Sequence, residues 1–137
     1  MNIKSLIIAT IVAFVTIWGT DILIHQVWLS SAYGETKHLW RPEVEMMARM
    51  PLMFLGQLLS AAAFCTIFAM FVAEKRSVSS TMKFALCVAL FSAGGQIIMY
   101  AVQPVPGSLV IKWCVAYIVQ LLVLGFIVHK VYKLPVK

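Results

Sequence analysis

Four long stretches of this chain carry almost no charge, and nothing else in the sequence narrows its fold as much. Between Lys4 and Glu35 the one formally charged residue is Asp21. Between Arg49 and Glu74, and again between Lys83 and Lys112, there is none; from Ser108 to Val128 the one charge is Lys112. A helix needs about 20 apolar residues to cross the hydrocarbon core of a bilayer. Backbone N–H and C=O groups facing lipid must be bonded within their own segment, and a helix does that for runs of this length. The runs predict an all-α, integral membrane four-helix transmembrane bundle with spans over about 3–30, 51–73, 81–103 and 107–132.

Composition agrees with lipid as the solvent. Of 137 residues, 62% are hydrophobic and 12% charged, against roughly 45–50% and about 25% in soluble domains. The length predicts a single transmembrane domain over 1–137, with no soluble domain beside it. A formal net charge of +6 does not imply a nucleic-acid partner, because the basic residues stand at the ends of apolar runs, where they meet lipid headgroups. The bilayer is the implied partner, with a homo-oligomer or a larger membrane complex as further classes that a small bundle fits. Cys65, Cys87 and Cys114 each stand alone in an apolar run and form no C-x-x-C, so they read as small packing residues rather than a disulfide framework.

Lys4 followed by Leu6–Ile17 resembles the start of a secretory signal. The apolar run continues to Leu29 with no small-residue cleavage site after it, so the segment reads as a retained first span. Orientation follows from the basic residues. Lys4, Lys75, Arg76, Lys83, Lys130, Lys133 and Lys137 would share one face; Lys37, Arg41, Arg49 and Lys112 would share the other. Seven against four predicts a multi-pass protein of the plasma (inner) membrane with both termini cytoplasmic. The long outer connection contains Leu39-Trp40-Arg41-Pro42-Glu43, which reads as a helix start. Pro is tolerated at a first helical position and acids suit the positive end of the dipole. Residues 39–50 are therefore expected to form a short interfacial helix between spans 1 and 2, with Glu45 and Arg49 paired across one turn.

The placement of polar residues carries the functional signal. In span 1, Trp18, Asp21, His25 and Trp28 are spaced to share a stripe. Span 2 offers Met50, Met53, Gln57, Ser60 and Phe64. Span 3 offers Ala85, Ala89, Ser92, Gln96, Met99 and Gln103, with Tyr100 beside them. Span 4 offers Trp113, Tyr117, Gln120, Leu124 and Ile127. These stripes are expected to face the bundle interior. Along a helix axis Asp21 would lie roughly 13 Å below the outer end of span 1 and His25 about 7 Å below it, with Gln57 and Gln96 about 10 Å deep and Gln120 near the middle. An outward-facing polar pocket follows, with Asp21, His25, Gln57, Gln96, Tyr100, Tyr117, Gln120, Trp18 and Trp28 as its ligand-binding candidates.

An acid inside a membrane costs about 3 kcal/mol on insertion scales, so Asp21 needs a reason. Asp21 and His25, four residues apart, are expected to hydrogen-bond. The pair reads either as an ionisable dyad for a proton, cation or ligand amine, or as a polar contact that fixes helix register. Met46, Met47, Met50 and Met53 cluster near the start of span 2, but methionine also fills irregular gaps and no ligand spacing accompanies the cluster, so no metal site is assigned. Ala85, Ala89 and Ala93 form a ridge of small residues that permits close helix packing. No nucleophile elbow, H-E-x-x-H, P-loop or dinucleotide fingerprint occurs, and no cofactor is implied. Three readings remain: a small-solute, proton or cation binder that could act as a transporter; an accessory or assembly subunit of a larger membrane complex; and a membrane enzyme acting on a lipid or quinone.

Overall fold

The computed structural model describes residues 1–75 and 77–135. Its regular structure is all helical, with no strand among these residues. Four helices are long and apolar enough to cross a membrane: α1, Ile3–Trp28; α4, Met50–Lys75; α5, Val78–Val102; and α6, Gly107–Val131. The connection between the first two holds two short helices, α2, Ser30–Glu35, and α3, Glu43–Ala48, with a 3-10 turn at Lys37–Leu39 between them. Arg76 and Lys137, two of the basic residues used to predict orientation, lie outside the described residues.

Local chemistry sets the helix ends. Asn2 accepts the Ser5 N–H at its Oδ1 (3.1 Å) and opens α1, and the Ser77 hydroxyl accepts the Ser80 N–H (3.4 Å) at the start of α5. Each satisfies a donor that the helix itself leaves unpaired. Pro104 and Pro106 keep Gln103 and its neighbours extended, which stops α5 at Val102 and starts α6 at Gly107. Pro42 caps α3 from outside the helix, one residue earlier than the sequence pattern placed it. Glu43 and Glu45 occupy the first turn, and Arg49 reaches the Glu45 carboxylate at 3.4 Å.

Two long-range bonds tie the chain ends together. The Asn2 N–H donates to the Tyr132 hydroxyl (3.2 Å) and the Lys133 N–H to the Ser5 hydroxyl (2.6 Å). The same end of the bundle carries the Thr81 to His129 contact (3.0 Å) and the Phe68 ring edge-on to Tyr132. The opposite end therefore carries the long connection and the Pro104–Pro106 turn. Helix α1 packs between α4 and α6, and α5 lies along α6. The Ala ridge of α5 is the seam of that last pair: Ala85, Ala89 and Ala93 are buried, and a Cβ placed on Gly125 would stand 2.7 Å from the Ala85 Cβ.

The interior stripes differ from the predicted ones. In α1 the buried residues are Ser5, Ala9, Ala13 and Ile17, a narrow line of mostly small side chains, while Trp18 and Trp28 point outward. In α4 every residue from Met50 to Ser60 is exposed except the half-buried Gln57, and α4 packs on α5 through Phe64, Phe68 and Phe84 in the half nearer the termini. In α5, Met99 and Tyr100 are exposed, as is Gln103 just past its end. Lipid is as apolar as a protein core, so an outward-facing Trp, Met or Leu carries no penalty and polarity does not fix helix rotation.

Candidate functional site

The buried line of α1 runs directly into the polar site. Asp21 follows Ile17 by four residues and so continues the interior face of the helix. Its carboxylate is held from two other spans. Gln57 of α4 donates its amide N–H to Oδ2 at 2.6 Å, and Gln120 of α6 donates to Oδ1 at 2.7 Å. The Gln120 amide nitrogen also meets the Thr20 hydroxyl at 2.7 Å. Thr20 is free to accept there because its own proton goes back to the helix, to the carbonyls of Thr16 (2.7 Å) and Ile17 (2.9 Å). Such back-bonding bends helices, and here it immediately precedes a change of helix type.

From Ile22 to Trp28 α1 is π-helical. Its last turn is closed by the Leu29 N–H bonding to the Ile24 carbonyl five residues back (2.9 Å). A π turn takes one residue more than an α turn. The α spacing that was expected to join Asp21 to His25 is therefore broken between them. His25 instead meets the hydroxyl of Tyr33, from α2, with Nδ1 at 2.6 Å. The Trp113 indole N–H of α6 donates to the same hydroxyl at 2.8 Å. An indole N–H is a donor only, so the Tyr33 oxygen, which also carries the phenol proton, accepts from Trp113; the imidazole tautomer sets whether that hydroxyl or Nδ1 donates in the other bond. Burial raises the Tyr33 pKa above that of an ordinary phenol, with the Trp113 bond opposing the shift, so this proton stays in place at neutral pH. Trp40 closes the group with its ring edge-on to both Tyr33 and Trp113, and it is anchored by its N–H to the Thr36 hydroxyl (2.9 Å). The long connection thus folds back onto the end of the bundle.

Between α1, α5, α6 and this clasp lies a cavity of about 150 Å³. Asp21, His25, Gln96, Tyr117 and Gln120 line it, all drawn from the sequence-derived candidates, together with Ile24, Tyr33, Trp113 and Ala116. Gln57 stands behind it, on the far oxygen of Asp21. Trp18, Trp28 and Tyr100 are not among the lining residues; Trp18 packs on Phe54, and the Tyr100 hydroxyl lies beside Gly107. Trp113 was visible in the polar stripe of span 4, four residues before Tyr117. No spacing rule leads to Tyr33, which follows the end of α1 and reaches the site through the fold of the connection. Among the described residues no three His, Cys, Asp or Glu side chains come together as a metal site would require.

The two glutamine bonds answer the cost of placing an acid in a membrane-length helix. Hydrogen bonds to a charged group contribute about 1.5–3 kcal/mol each, so two of them offset an insertion cost of about 3 kcal/mol. A carboxylate has about four acceptor positions, and the two glutamine amides leave the others for the cavity. Compared with protein-family models, curated proteins and solved structures, the chain matches none of them.

Proposed function

We propose that this multi-pass membrane protein binds a small solute, a proton or a cation in the cavity beside Asp21 and His25, and that it serves transfer of that species across the membrane. The supporting observation is an acid within a membrane-length helix, braced by amides from two other spans and bordering a cavity. In this reading both termini are cytoplasmic in a plasma (inner) membrane, the cavity opens toward the outer face, and α3 lies at headgroup depth with Trp40. The half of the bundle nearer the termini has an apolar core, so transfer requires a conformational change or an oligomer rather than a permanent pore.

Thermal stabilisation by small cations, neutral solutes and anions tests this reading, measured on the detergent-purified wild type and on Asp21→Asn across roughly pH 5–8, where an imidazole can titrate. Asp21→Asn is expected to fold with normal helical content and to lose stabilisation by the solute that protects the wild type. Asp21→Glu is expected to retain part of it, because the added methylene shifts the carboxylate in a packed site. Equal stabilisation of wild type and Asp21→Asn would make the carboxylate structural. A second reading, an accessory or assembly subunit, is favoured by the exposed half of α4 between Met50 and Ser60, which a partner helix could cover as well as lipid. Stoichiometric co-purification of a larger partner from native membranes would support it.

A further inference from the structure

Resting on the reading of the cavity as a solute site, we infer that its ligand is a small organic ammonium ion carrying at least one N–H. Charge gives the first argument. Among the described residues that line the space Asp21 is the one carboxylate, and none of them is Lys or Arg. An anion entering would meet that carboxylate with no cationic side chain to offset it. A neutral ligand would leave its charge without a counter-ion.

The walls give the second argument. Tyr33, Trp113 and Tyr117 are three aromatic residues among those lining a space of about 150 Å³. Aromatic faces attract organic cations. The remaining acceptor positions of Asp21 suit the N–H groups of an ammonium. A divalent metal would need several hard ligands at once, and no cluster of three His, Cys, Asp or Glu exists among the described residues.

Size gives the third. A cavity of 150 Å³ is benzene-sized. It therefore suits an amine of about six non-hydrogen atoms. The Gln96 and Gln120 side chains at its border add polar contacts without adding charge.

The experiment compares n-butylammonium, n-butanol and butyrate by calorimetric titration of the full-length protein in nanodiscs at pH 7. Binding of n-butylammonium is expected to be at least tenfold tighter than binding of the alcohol or the carboxylate. Asp21→Asn should weaken it at least tenfold with helical content unchanged. Trp113→Leu should weaken it about threefold or more through loss of the ring. Tetramethylammonium, which has no N–H, should bind more weakly than n-butylammonium. If the alcohol or the carboxylate binds as well as the ammonium, the ligand class is wrong while the cavity stands as a solute site. Ammonium binding that survives Asp21→Asn also overturns the inference. Binding of none of the probes to wild type overturns the inference, while the reading beneath it is decided separately by thermal stabilisation with small cations, neutral solutes and anions. The wild-type comparison decides the matter even if Asp21→Asn does not fold.

Discussion

Gln57 and Gln120 do the same thing to Asp21 but stand in different circumstances. Gln120 is buried and divides its amide hydrogens between Asp21 and Thr20. Gln57 gives one N–H to Asp21, and its own carbonyl Oε1 is buried with no partner among the described residues. An unpartnered buried acceptor costs about 1–3 kcal/mol, so part of what the Gln57 bond contributes is offset by its other end. Gln120→Leu is therefore expected to lower stability by about 1.5–3 kcal/mol, and Gln57→Leu by clearly less. Both costs should shrink in an Asp21→Asn background, where the charge that strengthens these bonds is gone. Reversible unfolding in mixed micelles measures all four combinations. A Gln120→Leu cost that is the same with Asp or Asn at position 21 would mean that the two side chains are not energetically coupled. The carboxylate and the glutamines were legible in the sequence as rare polar residues in apolar runs. Their pairing was not, because spacing within one helix says nothing about which neighbour it meets.

At the level of helices, α5 and α6 approach each other closely at Gly125. Gly125 faces Ala85 so tightly that an added Cβ would sit 2.7 Å from the Ala85 Cβ, with the Met82 Cε at 3.4 Å. The Ala85 Cβ is fixed to its helix backbone and cannot swing away. Gly125→Ala should push the helices apart and cost about 1–3 kcal/mol, as overpacking does. Ala85→Gly in the same chain removes the opposing atom and exchanges one helical glycine for another, so propensity cancels. The double variant should recover most of the lost thermal stability in detergent. Failure to recover would place the clash elsewhere. The ridge Ala85, Ala89 and Ala93 was readable from sequence, whereas its partner on α6 became visible only in the fold. The π turn from Ile22 to Trp28 lies still further from sequence reasoning: no residue type announces it, yet it separates His25 from Asp21 and hands it to Tyr33.

For the molecule as a whole, an even number of spans puts the termini at one end, and the bonds from Asn2 to Tyr132 and from Lys133 to Ser5 hold them together there. The proposed orientation places that end in the cytoplasm. In a chain with Cys65, Cys87 and Cys114 replaced by Ala, single cysteines at Lys37 and Ser79 report the two faces. Both positions are exposed and belong to opposite ends of the bundle. A membrane-impermeant maleimide applied to intact cells should label Lys37→Cys and should reach Ser79→Cys only after permeabilisation. Labelling of Ser79→Cys alone would invert the topology and turn the cavity toward the cytoplasm.

The sequence by itself determined that this chain is helical and that it has four segments able to cross a membrane. Charge-free runs and the Pro104 and Pro106 break are local signals, and the helices follow them. Tertiary structure alone decided the rotation of each helix and hence the membership of the site. In water an amphipathic helix declares its buried face by polarity. In lipid both faces are apolar, so Trp18, Trp28 and Tyr100 could share a polar-looking stripe with Asp21 or His25, or lie close by in an adjacent span, and still stand outside the cavity, while Tyr33, beyond the end of its span, was carried into it by the folding back of the connection.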